Sequence, residues 1–160
     1  MIGTHKVFAL AAIDQSQVSF VNQLAGLIKS SDLIDHAIVV TDSQHVFEAA
    51  AIAGLSAHHV ADLSFELPAV FAHLLDSEEV YLSEELEAWF IFFDASQRAL
   101  SASEISSVFD FLGNETVVSV FTSDVKPSSR FFTAASFRKD ADFIAADIQW
   151  LNLITGESFR

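Results

Sequence analysis

The sequence predicts a three-layer α/β sandwich, with a mostly parallel central sheet that admits some antiparallel pairing and helices on both of its faces. Three observations lead there. Short β-type runs alternate with segments of helical periodicity. The runs are apolar throughout, as expected when both faces of a sheet are covered. No Pro/Gly/Ser-rich linker interrupts the pattern, since the chain holds five glycines and two prolines. Its 160 residues, 51% apolar with mean hydropathy +0.39, suit a single domain over 1–160 and exclude disorder.

Val7–Ile13 opens the series as a strand, closed at once by Asp14. It is too short for a membrane span, and no other uncharged stretch approaches the roughly 18 residues a spanning helix needs. Ser16–Lys29 is a helix, with Val18, Val21, Ala25 and Ile28 on one face. Ala37–Thr41 is a strand, Ser43–Ala53 an Ala-rich helix ended by Gly54, and His58–Ala61 a third strand. Val80–Leu82 and Trp89–Phe93 read as two strand pieces that could pair antiparallel. In Ser101–Leu112 the stripe Ile105, Val108, Phe109, Leu112 is helical; Ser101 and Glu104 form a capping box, and Gly113 suits the position after the last turn. Val117–Thr122 and Arg130–Phe137 are expected as strands that could pair antiparallel, and Asp140–Ile154 as a closing helix.

An aspartate follows nearly every expected strand: Asp14, Asp42, Asp62, Asp94 and Asp124. In an open parallel sheet such ends share one edge, where ligands bind. Asp14, Asp42 and Asp94 are the candidates for holding Mg²⁺, a hard cation that takes oxygen ligands and would orient a phosphate. The plainer expectation for any one of them is helix capping, which is worth about 1 kcal/mol. Phosphate-loop and dinucleotide glycine motifs are absent, as is a nucleophile elbow. Of the six histidines, His58 and His59 are neighbours on a strand and face opposite ways, which argues against a shared zinc. With no cysteine there is no disulfide or thiolate chemistry, which agrees with a cytoplasmic setting.

The charge is uneven. Twenty-two acidic residues face eight basic ones, a net −14, and that excludes a double-stranded nucleic-acid binder driven by overall charge. Between Lys29 and Arg98 there is no Lys or Arg but six Asp and seven Glu, densest at Glu78, Glu79, Glu84, Glu85 and Glu87. Lys126–Lys139 has the reverse character, with Lys126, Arg130, Arg138 and Lys139 and no acid. The first functional expectation is therefore a non-catalytic interaction or regulatory protein without a cofactor. It would present the five glutamates to a basic protein partner and self-associate to cover its apolar surface. The alternative is an Mg²⁺-dependent enzyme acting on a phosphate or nucleotide at the strand-end aspartates, with Lys126, Arg130 or Arg138 meeting the phosphate.

Overall fold

The computed structural model describes residues 2, 5–75, 88–123 and 126–159. Its centre is one mixed sheet of strands β1 (Val7–Ala12), β2 (His36–Thr41), β3 (Ser56–His59), β4 (Trp89–Asp94), β5 (Val117–Phe121), β6 (Ser129–Thr133), β7 (Trp150–Asn152) and β8 (Ser158–Phe159). Their order is β3-β2-β1-β4-β6-β5-β7-β8. β1 to β4 run parallel to one another, β6 lies antiparallel between β4 and β5, β7 pairs parallel with β5, and β8 pairs antiparallel with β7.

Two cores explain the apolar runs. On one face Val7, Ala9 and Ala11 of β1 and Ile91 and Phe93 of β4 pack under α1 (Phe20–Ser30), α2 (Gln44–Ile52) and α4 (Ala102–Leu112). On the other, Phe8 and Leu10 join Phe90, Phe92 and Phe132 beneath α3 (Leu67–Leu75), α5 (Ala134–Lys139) and α6 (Ala141–Ala145). Every residue of β1 is buried, because neighbours cover both directions in which its side chains point. The expected α/β sandwich is thus observed. Among the described residues no helix is long and apolar enough to cross a membrane.

Local signals explain several boundaries. The Ser101 hydroxyl accepts from Glu104 N, the Glu104 side chain accepts from Ser101 N, and Gly113 follows α4 at φ 56°. Ser43 caps α2 through Val46 N. Other expectations need correction. The segment Ser16–Lys29 begins as a 3₁₀ turn at Gln15–Gln17, and the α-helix starts only at Phe20. The third strand is Ser56–His59 rather than His58–Ala61, and Asp62 turns the chain at φ 52°, a left-handed position Asp tolerates. Arg130–Phe137 is not one strand: the Thr133 hydroxyl accepts from Ser136 N and starts α5 there. Asp140–Ile154 is not one helix either, since α6 stops at Ala145 and Trp150–Asn152 joins the sheet beside β5. α3 was not anticipated at all, because Leu67–Leu75 is apolar on nearly every side and shows little face contrast. The segment Val80–Leu82 and its pairing lie outside the described residues.

Candidate functional site

β1 and β4 are adjacent and in register, with Ala12 opposite Asp94, so their carboxyl ends finish side by side. Beyond them opens a cavity of about 490 Å³, within the range that takes a small molecule. Its polar walls come from four places. Asp14 and Gln17 stand on the turn after β1, and Asp94 and Ala95 on the turn after β4. Glu66, Leu67 and Pro68 form the start of α3, and Lys126, Pro127 and Arg130 lie on the return into β6. Proline is compatible with a helix's first turn, where its missing N–H costs nothing, and the exposed N–H groups there carry partial positive charge.

The two strand-end turns share one construction. Asp14 Oδ1 accepts from Ser16 N at 2.8 Å and Ser16 Oγ at 2.5 Å. Asp94 Oδ1 accepts from Ser96 N at 2.9 Å and Ser96 Oγ at 2.6 Å. In each, the glutamine one residue further donates its N–H to the aspartate carbonyl at 3.0 Å. The same four-residue pattern, Asp-x-Ser-Gln, thus fixes both carboxylates. At Asp94 the other oxygen, Oδ2, lies 2.9 Å from Lys126 Nζ. Burial pushes the Asp94 carboxyl up, but the Ser96 hydroxyl, the Lys126 ammonium and the Ser96 N–H together outweigh it and hold the group below its ordinary range. It is a carboxylate at neutral pH.

Arg130 follows from the register: it sits opposite Phe92 on β4 and Ser119 on β5. Its Nη2 reaches Asp147 Oδ1 at 3.4 Å, while its Nε is buried without a hydrogen-bond partner among the described residues. Arg130 lines the large cavity, and its partner Asp147 lines a smaller one of about 290 Å³ together with Phe121, Trp150 and Glu157.

The candidate residues read from the sequence are therefore divided. Asp14, Asp94, Lys126 and Arg130 converge on one cavity. Asp42 does not join them. It follows β2, two strands from β4, a separation of roughly 10 Å at ordinary strand spacing. Its carbonyl instead lies 3.2 Å from His59 Nε2. Among the described residues no three acidic or histidine side chains form a metal-binding group. Asp14 and Asp94 nonetheless offer hard oxygen donors beside two cations. That suits an Mg²⁺ ion held partly by protein and partly by a ligand's phosphates and water rather than by an all-protein cage. The Arg138 side chain, Asp124 and Glu78, Glu79, Glu84, Glu85 and Glu87 lie outside the described residues. Sequence reasoning missed Glu66, and it reads the Asp-x-Ser-Gln stretches at 14–17 and 94–97 as helix caps rather than as one shared construction of the site.

No family model matches the chain, and no curated protein matches it in sequence. Solved structures do match. A crystal structure of 4-diphosphocytidyl-2C-methyl-D-erythritol synthase superposes with a TM-score of 0.65, covering 85% of this chain and 79% of that one at 11% identity. CMP:2-keto-3-deoxy-manno-octonic acid synthetase, solved with CTP, superposes with a TM-score of 0.55 over 72% of this chain at 9% identity. The present chain spans about half of that second structure, 52% of its length. The likeness is one of fold.

It also corrects the first functional expectation. A non-catalytic module offering an acidic face to a basic partner is contradicted: the similar structures are a synthase and a synthetase, and the latter was solved with a nucleotide. The enzyme alternative agrees better with them.

Proposed function

We propose that this chain is an Mg²⁺-dependent enzyme acting on a nucleotide, with cytidine triphosphate the first substrate to test and nucleotidyl transfer the reaction class. The observation that carries the reading is the meeting of Asp14, Asp94, Lys126 and Arg130 in one cavity at the carboxyl ends of β1 and β4. The resemblance to a synthetase solved with CTP supports the choice of nucleotide.

In this reading Lys126 and Arg130 bind phosphate oxygens, Lys126 as a mobile point charge and Arg130 as a planar fork. Asp14 and Asp94, each fixed by a serine, would hold the ion. The ion would supply charge neutralisation and a fixed phosphate orientation. A charge count supports its need: three acids (Asp14, Glu66, Asp94) face two bases (Lys126, Arg130) in the lining, so a polyphosphate alone would meet net repulsion. An acceptor hydroxyl oxygen would bond to the α-phosphorus as the bond to pyrophosphate breaks, its proton passing to water, and the protein's part is to hold both groups in line.

Thermal unfolding with CTP, other nucleoside triphosphates and Mg²⁺ or EDTA tests this directly. At a ligand concentration of 100 Kd the stabilisation is about 2.7 kcal/mol, or roughly 5–10 °C in Tm for a chain of this size. Asp94→Asn is expected to remove the Mg²⁺-dependent part of the shift. If no nucleotide moves Tm with Mg²⁺ present, the reading fails.

A further inference from the structure

The cation nearest to Asp94 is already part of the chain. Lys126 Nζ lies 2.9 Å from Asp94 Oδ2 and donates to Ser96 Oγ at 2.9 Å, so it engages the carboxylate and the hydroxyl that fixes it. With Ser96 donating twice to Oδ1, Lys126 competes for Oδ2, the oxygen left with an open lone pair for a metal. Resting on the nucleotide–Mg²⁺ reading of this cavity, we propose that Lys126 is a gate on the metal position. In the resting protein it competes with a metal for Asp94, and an entering phosphate draws it off, so the ion binds more tightly once the nucleotide is in place.

The surroundings suit a side chain with a fixed root and a free tip. Gln97 Nε2 donates to the carbonyls of Lys126 at 3.3 Å and Pro127 at 3.1 Å. Asp94 N donates to Ser128 O at 2.9 Å, and Ser128 N to Val120 O at 2.8 Å. These bonds hold the backbone at 126–128 against the β4 turn and β5. The Lys126 side chain is 53% exposed, and its four-carbon stem can carry the ammonium away without moving that backbone. An ion pair this exposed is a weak latch, so a polyphosphate with several negative oxygens can take the ammonium from a single carboxylate. Arg130 does not share this freedom: its side chain is 22% exposed and already anchored on Asp147.

Two titrations on the whole protein, with Lys126→Met and Lys126→Arg, test the gate. Mn²⁺ alone, followed by its electron paramagnetic resonance signal, is expected to bind wild type weakly and Lys126→Met about five- to tenfold more tightly, once the competing ammonium is gone. CTP in EDTA, followed by calorimetry, is expected to bind Lys126→Met several-fold more weakly, because its phosphate contact is gone. Lys126→Arg keeps both wild-type behaviours. Opposite signs from one substitution distinguish a gate from simple damage, which would weaken both ligands. Unchanged or weakened Mn²⁺ binding in Lys126→Met, with nucleotide binding intact in wild type, overturns the gate and leaves the site reading standing. A wild type that binds no nucleotide under any condition overturns the site reading and the gate with it.

Discussion

At the level of single residues, Glu104 carries two duties that pH can separate. Its carboxylate closes the capping box on Ser101 N at 2.9 Å and takes a bidentate pair from Arg98, with Nη1 at 2.7 Å and Nη2 at 2.9 Å. The Arg98 guanidinium, with Ser101 behind it, outweighs partial burial and lowers the Glu104 carboxyl from 4.5 to about 2. A folded-state value below the unfolded one contributes stability that is complete above about pH 4.5 and disappears as pH falls toward 2. Glu104→Gln keeps a capping-box side chain and deletes the charge. Wild type is therefore expected to unfold at higher Tm than Glu104→Gln near pH 6, and the gap should close between pH 4.5 and 2. A gap that stays constant across that window would refute the assignment. The box itself was legible in Ser101-x-x-Glu104, because all of its atoms come from one turn. Its partner Arg98 was not, because nothing in the local pattern says that the loop before the helix folds back onto it.

α3 shows what an element can contribute without announcing itself. Phe71, at its centre, meets Phe90 at 4.7 Å, Phe132 at 4.9 Å and Phe137 at 4.7 Å between ring centroids, all edge-on. One helix side chain thus ties β4, β6 and α5 together beneath the sheet. Edge-to-face contacts of this kind add to the burial of the ring itself. Phe71→Ala is expected to cost about 3–5 kcal/mol in denaturant unfolding, with Phe71→Leu costing less because it leaves a smaller cavity. A loss below 1 kcal/mol would show that the ring cluster relaxes around the gap. Amphipathic α1 and α4 could be read from their periodicity, but α3 was hidden because its apolar residues leave no polar face to define a stripe. The start of α3 also lines the cavity, so missing the element meant missing Glu66 and Pro68 as site residues.

Across the whole molecule, 22 acids against eight bases make the folded chain repel itself. Raising NaCl from about 0.02 M to about 0.3 M shrinks the Debye length from more than 20 Å to under 6 Å, and Tm is expected to rise with it. A Tm that falls instead would mean that ion pairs such as Arg98–Glu104 and Lys126–Asp94 outweigh the net repulsion. The layered architecture was legible, since continuous apolar runs report a sheet covered on both faces. Strand order was not: the pairing of β4 with β6 rather than β5 is decided by side chains far apart in the chain. The cavity was half legible for the same reason. Strand-end aspartates mark an edge, while which of them meet a cation depends on that order, and Asp42 was separated from Asp94 by it.

The reversed strand β6 also sets a timetable. Its five residues wedge between β4 and β5, yet Ser129 is synthesised 35 residues after Asp94. At usual synthesis rates that is roughly 2–7 s during which the Phe-rich edge of β4 has no partner. The amino-terminal strands β1 to β4 can dock with their own crossover helices in that time, whereas the seam of the sheet must stay open. A nascent chain halted in this interval would therefore carry an uncovered, aggregation-prone edge at the very strand whose end holds the site, and chaperone capture should peak there.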